Sequence, residues 1–377
     1  MLRQPLRSTL CRVFGLSLSL LLGLMSGPIR RADAEPLADG RYLYVGLPGV
    51  RDYLEYGGQG VAVFAIDGGH AFVKRIPMGG LNDEGKPLNV KGICASPQTG
   101  LLHVSTLNSL IAIDLLADQQ RWERHYPGGC DRMALAPDGR TIYLPSLEKD
   151  HWHVVEAATG NVLARLEPRS GAHNTIYSRD GRHVYLAGLK SPLLSVAETA
   201  GHTIERQVGP MSNSIRPFTV NASQTLLFAN VNELLGFEVA DLQSGKMLHR
   251  VEVAGVQPGP VKRHGCPSHG IALTPDNAQI WVCDAANQSL HVFDVRQLPP
   301  QQIGSIRLSD EPGWVLISLD GKLAYPSTGE IIDAATRQVI GQLKDETGAR
   351  VQSEKMVEIH WQGGRPVVAG DQFGLGR

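Results

Sequence analysis

Apolar residues along this chain fall in short runs that come in pairs across a tight polar turn, with no sustained helical period. Residues 133–136 lead through Pro137-Asp138-Gly139-Arg140 into 141–144, and residues 271–274 lead through Pro275-Asp276-Asn277-Ala278 into 279–283. A third run follows each pair, as at 109–114 and 289–294, and then a fourth such as 161–166. An Asp-Gly pair supplies the positive-φ residues that a tight hairpin needs. The pattern predicts a unit of four short antiparallel strands and few helices.

That unit recurs. Turns at Asp39-Gly40-Arg41, Pro97-Gln98-Thr99-Gly100, Pro137-Asp138-Gly139-Arg140, Arg179-Asp180-Gly181-Arg182, Asn221-Ala222-Ser223-Gln224, Pro275-Asp276-Asn277-Ala278 and Leu319-Asp320-Gly321-Lys322 occupy equivalent places. Their spacing of roughly 40 to 60 residues is the period of four-stranded propeller blades. The fold class expected is therefore all-β, a seven-bladed β-propeller. Residues 355–361 read as an inner strand with no blade after it and residues 42–46 as a second strand with no inner strand before it. Pairing these N- and C-terminal strands closes the ring and removes its exposed edges. Residues 367–370 are left over, which keeps an eight-bladed count open.

The hairpins at Pro137-Asp138-Gly139-Arg140-Thr141-Ile142-Tyr143-Leu144 and Asp180-Gly181-Arg182-His183-Val184-Tyr185-Leu186 resemble the signature of YVTN-type seven-bladed propellers, the class of lactonase-like and quinoprotein-associated propellers. No blade carries the full tetrapeptide. The resemblance implies a propeller over nearly the whole mature chain and a site at one mouth of its channel. It implies little about activity, because such folds host unrelated functions.

Composition narrows the setting. Arg3, Arg7 and Arg12, the apolar run 13–25 and Ala32-Asp33-Ala34 form a secretory signal pattern over residues 1–34, leaving 35–377 as one propeller domain. A periplasmic or secreted location follows, with no membrane segment after cleavage and a monomer as the expected state. With 36 basic and 37 acidic residues the net charge is -1, so no overall field favours nucleic acid or a membrane surface. Export permits disulfides among Cys94, Cys130, Cys266 and Cys283, and a Cys266–Cys283 link is the favoured pairing. No CxxC spacing, phosphate loop, GxSxG elbow or HExxH pair is present.

Candidate chemistry gathers where the inner strands begin, because those connections meet at one face of a propeller. They supply Lys91, Asp131-Arg132, His173-Asn174, Arg216, His269 and Glu354-Lys355, and the loops between second and third strands add Tyr53, Lys190 and Asn232. Such a ring of cations calls for acids or an anionic ligand to compensate it. Arg132 and Arg216 suit a carboxylate, with Lys91 as a point charge and Asp131, Asn174, Lys190 and Asn232 as further contacts. His173, His269 and Tyr53 are the candidate acid and base groups. His264, His269 and His173 are candidate ligands for a divalent metal such as zinc, manganese or calcium. The same ring also fits a solvated mouth with structural histidines.

Two functional readings follow. One is an exported propeller that binds a small anionic molecule or carbohydrate, a lyase or lactonase acting on a uronate or lactone. The other is a non-catalytic platform for a protein partner, or an accessory subunit of a redox system. Neither involves nucleic acid.

Overall fold

The computed structural model describes residues 37–374, so the export pattern and Cys11 lie outside the described residues. Among the described residues there are seven antiparallel sheets, six of four strands and one of five. Their inner strands are Val90–Ser96, Ala134–Leu135, Ala172–Tyr177, Ile215–Val220, Ser268–Leu273, Val315–Ile317 and Met356–Gln362. The last of these pairs with Gly40–Leu47, so blade 1 combines both ends of the chain and closes the ring. Counting blades from that one, the order in sequence is blade 1 to blade 7. Residues left over after closure form Arg365–Ala369, a fifth strand on the channel side of Met356–Gln362, and the eight-bladed count is excluded.

Seven clusters of buried apolar side chains hold the ring, one in each gap between neighbouring blades. With every gap filled, no blade face is left to solvent, and apolar burial of this kind is the main favourable term in folding. Among the described residues the one helical element is a single 3-10 turn, Leu54–Tyr56. No described helix is long and apolar enough to cross a membrane.

The repeated turns work differently from the simple Asp-Gly expectation. Only the glycine of Pro137-Asp138-Gly139 adopts positive φ, +73° at Gly139. The aspartate instead accepts a backbone N–H two residues on, at 3.0 Å, in blades 3, 4, 6 and 7 through Asp138, Asp180, Asp276 and Asp320. In blades 4, 6 and 7 a hydroxyl two residues earlier, Ser178, Thr274 or Ser318, donates to that same carboxylate. Side-chain capping of this sort stabilises a turn without help from the rest of the fold.

A second repeat is visible only in the pairing. In every blade the third and fourth strands shift register by one residue, for instance between Val154 and Val155 and between Val292 and Phe293. Such bulges increase local twist and turn the outer edge out of line with its neighbours, which discourages edge-to-edge association.

The four described cysteines are free and buried, so the expected Cys266–Cys283 disulfide is not formed. Cys266 Sγ turns to the Ser268 carbonyl at 2.9 Å, and Cys283 is packed into the core between blades 6 and 7. Burial pushes both thiols up, Cys266 to about 12, so they stay protonated.

His103, on the second strand of blade 2, is fully buried and donates from Nε2 to the Ala157 carbonyl at 2.8 Å. Burial holds its pKa at about 4. Between about 6.5 and 4 the unfolded chain binds a proton that the folded chain refuses, so its share of stability is complete above the first value and lost towards the second. We expect the change to reach about 3 kcal/mol, from a shift worth 1.36 kcal/mol per unit. Urea denaturation across this range should show a flatter pH dependence in His103→Gln, which keeps a donor and does not titrate; an unchanged slope would refute this assignment.

Candidate functional site

The mouth is built by irregularities in the inner strands. In blade 2 the pairing passes from Val90 to Gly92 while its partner advances one residue, leaving Lys91 over. Blade 4 does the same at His173, between Ala172 and Asn174. Blade 5 inserts an extra residue at Arg216-Pro217 and blade 6 at His269-Gly270. A bulge leaves its extra residue outside the ladder and re-aims the side chain. In all four blades it falls on a cation or an imidazole at the mouth end.

These side chains line a basin of about 420 Å³. Seven cationic side chains face it against two carboxylates, Glu148 and Glu354, an excess of positive charge. A second cavity of about 320 Å³ lies at the opposite, hairpin end of the channel, between residues 133–137 and the C-terminal segment 367–373. It contains no histidine, lysine or arginine.

Asp131 organises one wall from beneath. Its Oδ2 accepts from His173 Nδ1 at 2.7 Å and its Oδ1 lies 3.4 Å from Lys91 Nζ. Burial pushes its carboxyl up, but His173, Lys91 and Arg132 more than reverse this and hold it at about 2. An ionised carboxylate fixes an imidazole proton on His173 Nδ1, which directs Nε2 away from Asp131. That atom is buried and has no partner.

Arg132 lies against the face of Trp314, its guanidinium carbon 3.4 Å from the ring centroid. Its Nη2 is 3.4 Å from Glu354 Oε2, while Nε and Nη1 have no partner. Burial lowers it to about 10. Glu354 Oε2 also accepts from Lys355 Nζ at 2.7 Å, and burial brings that ammonium down to about 7. For Glu354 itself burial raises the carboxyl, and Lys355, His264, His269 and Arg132 together carry it well below the usual range.

His264 and His269 stack, ring centroids 4.7 Å apart at 29°. His269 donates from Nδ1 to the Gly313 carbonyl at 2.8 Å. His264 Nδ1 lies 3.5 Å from Glu354 Oε1 and its Nε2 lies 3.8 Å from Glu311 Oε1. Burial lowers both imidazoles, His269 the more strongly. The ligating atoms of His264, His269 and Glu354 lie within 4.8 Å of one another. A side chain at Gly313 would collide with His264 and with Glu354, so this approach requires glycine there.

The other sequence-predicted residues divide. Arg216 donates from Nε to Asn232 and from Nη2 to the Gly265 carbonyl at 3.1 Å, so Asn232 positions the guanidinium from behind. Lys190 reaches the Glu148 carbonyl at 3.1 Å on the rim. Asn174 is buried with both amide atoms unpartnered and, like Asp131, sits outside the basin lining. Tyr53 is outside the lining too, 37% exposed and edge-on to Tyr56. Arg263, in the arginine- and histidine-bearing loop 263–270 that the sequence marks as site-like, pairs with Asp310, whereas sequence reasoning missed Arg51, which donates to the Arg263 carbonyl. It also missed Glu311, whose carboxylate accepts from the Lys262 and Arg263 amides. Neither lies at the start of an inner strand; Arg51 shares with Tyr53 the loop between Gly40–Leu47 and Gly60–Ala65, where its charge was the available signal.

The fold and site together define a seven-bladed β-propeller with a channel mouth lined by cationic and imidazole side chains. No protein-family model matches the chain, and no curated protein matches it. Among solved structures, a chain described as Kuenenia stuttgartiensis Hydrazine Synthase aligns at 14% identity with a TM-score of 0.45, covering 66% of this chain and 94% of that one. The architecture here rests on the sheets themselves.

Proposed function

We propose that the protein is an enzyme acting on a small carboxylate-bearing molecule, a uronate-type sugar acid, with His173 as the base. The observation that supports this most is the His173 Nε2 atom, buried and unpartnered in a cationic basin, with Nδ1 anchored on ionised Asp131. Arg132 and Lys91 neutralise the substrate carboxylate and so lower the barrier to removing a proton from the adjacent carbon. In a β-elimination, His173 takes that proton and the C–H electron pair becomes the new double bond. The β-oxygen then leaves with its bonding pair and is protonated by solvent. The signal pattern supports a periplasmic or secreted setting for this activity.

The test is a thermal-shift screen of uronic acids, neutral sugars and lactones, followed by turnover assays on whatever stabilises. Uronates should stabilise and neutral sugars of the same size should not. His173→Ala should then lower turnover by about 10²- to 10⁴-fold, the usual contribution of a positioned base. Unchanged turnover in His173→Ala, or stabilisation by neutral sugars alone, defeats the proposal. Stabilisation by lactones alone, with hydrolysis, replaces elimination by lactone opening.

A further inference from the structure

We infer that His264, His269 and Glu354 form a binding site for a divalent transition metal of the zinc class. The inference goes beyond the proton-transfer reading, because none of the three is needed there as the base.

The donor set is the first argument. Two imidazoles and a carboxylate are a familiar set for zinc that keeps one position open, and these three have their ligating atoms within 4.8 Å of one another. His264 Nδ1 and Glu354 Oε1 are 3.5 Å apart. Two ligands each about 2.0–2.2 Å from a tetrahedral ion sit roughly 3.4 Å apart, so this pair needs little movement to share one.

The second argument is what stands behind each ligand. An imidazole that binds a metal almost always donates its other N–H to an oxygen. His269 does so from Nδ1 to the Gly313 carbonyl at 2.8 Å, which leaves its Nε2 for the ion. His264 has Nε2 facing Glu311 Oε1 at 3.8 Å, and that nitrogen is buried with no hydrogen-bond partner. A metal on Nδ1 would keep the proton on Nε2, facing that carboxylate. Glu354 is held by Lys355 and Arg132 through Oε2, so Oε1 is the oxygen left for the ion.

The third argument is access. All three ligands line the basin, so the open position faces the space where an anionic substrate would lie. Arg132 and Lys355 repel a dication, and Glu354 and Glu311 oppose them; we expect one ion, bound more weakly than in a closed four-ligand site.

The experiment uses the full mature chain, treated with chelator and dialysed, then titrated with Zn²⁺ by calorimetry and with Co²⁺ by visible absorption. Expected are one equivalent of Zn²⁺ and a Co²⁺ d–d spectrum of four-coordinate type. His264→Ala and His269→Ala should each weaken binding at least 100-fold. Glu311→Gln leaves the three ligands in place and should weaken it by about 10- to 100-fold, as removal of a supporting carboxylate does. No uptake by the wild-type protein overturns the inference. So does uptake unchanged in both His264→Ala and Glu311→Gln, which would place the ion elsewhere, for instance at His151 and His153, whose Nε2 atoms are 3.1 Å apart. Stabilisation by uronates is measured in metal-free buffer, so either proposal can fail while the other stands.

Discussion

Replacing Glu354 by Gln lowers the free energy of unfolding by about 3–5 kcal/mol, the usual consequence of removing one partner from a buried ion pair. Lys355 and Arg132, 3% and 2% exposed, share its Oε2, and both are deep enough for burial to pull their pKa values down. Neutralising the carboxylate leaves Arg132 with only Asp131 and the Trp314 face, and Lys355 with only the Gly49 carbonyl, to offset two charges out of water. Glutamine preserves shape and an acceptor oxygen, so the loss reports charge rather than packing. Urea denaturation at neutral pH measures it. Glu148→Gln, at an exposed rim carboxylate of the same basin, is the control and should change stability by less than about 0.5 kcal/mol. A similarly small change in Glu354→Gln would mean that solvent reaches the cluster freely.

Phe373→Ala should be nearly as damaging, lowering stability by about 3–5 kcal/mol, as large-to-small changes at buried aromatics do. Although only a few residues from the end of the chain, Phe373 is 3% exposed and packs on Trp314 at 5.1 Å between centroids. Its carbonyl accepts from the Ile317 amide at 3.2 Å, and the Gln372 carbonyl accepts from Trp314 Nε1 at 2.6 Å. Gln372 also donates to the Met133 carbonyl at 3.0 Å. The C-terminal segment therefore ties blades 3 and 7 together across the channel. Since Trp314 carries Arg132 on its ring, the substitution should also shrink the thermal shift produced by uronates, whereas Phe373→Leu should retain most of it. An intact ligand response in a destabilised Phe373→Ala protein would separate the segment from the basin.

The turns and strands were legible in the sequence because they are local. An aspartate two residues before the N–H it caps, beside a residue that tolerates positive φ, favours a hairpin locally, and four of the seven repeated turns carry this pair, at Asp138-Gly139, Asp180-Gly181, Asp276-Asn277 and Asp320-Gly321. The same reading underestimated Asp138, Asp180, Asp276 and Asp320, which cap backbone N–H groups rather than contribute positive φ. A Ser or Thr two residues ahead of three of these aspartates was the available sign. Listing the starts of the inner strands brought Lys91, Arg132, His173, Arg216 and His269 into one set, and all five line the basin. That rule could not find Arg51 or Glu311, which arrive from connecting loops.

While it left seven and eight blades both open, the sequence by itself determined the strand period, the places of the repeated turns and the closure of blade 1 by both ends of the chain. Each of these follows from alternation and turn residues a few positions apart. Only the tertiary structure decided which side chains leave the ladder. The extra residue at Lys91, His173, Arg216 and His269 exists only relative to a paired strand. The tertiary structure also left Cys266 and Cys283 as thiols, put the C-terminal strand inside the ring, and set Glu354 among two histidines, a lysine and an arginine. Those outcomes depend on atoms brought together from opposite ends of the chain, where burial and charge act across distances that no local pattern encodes.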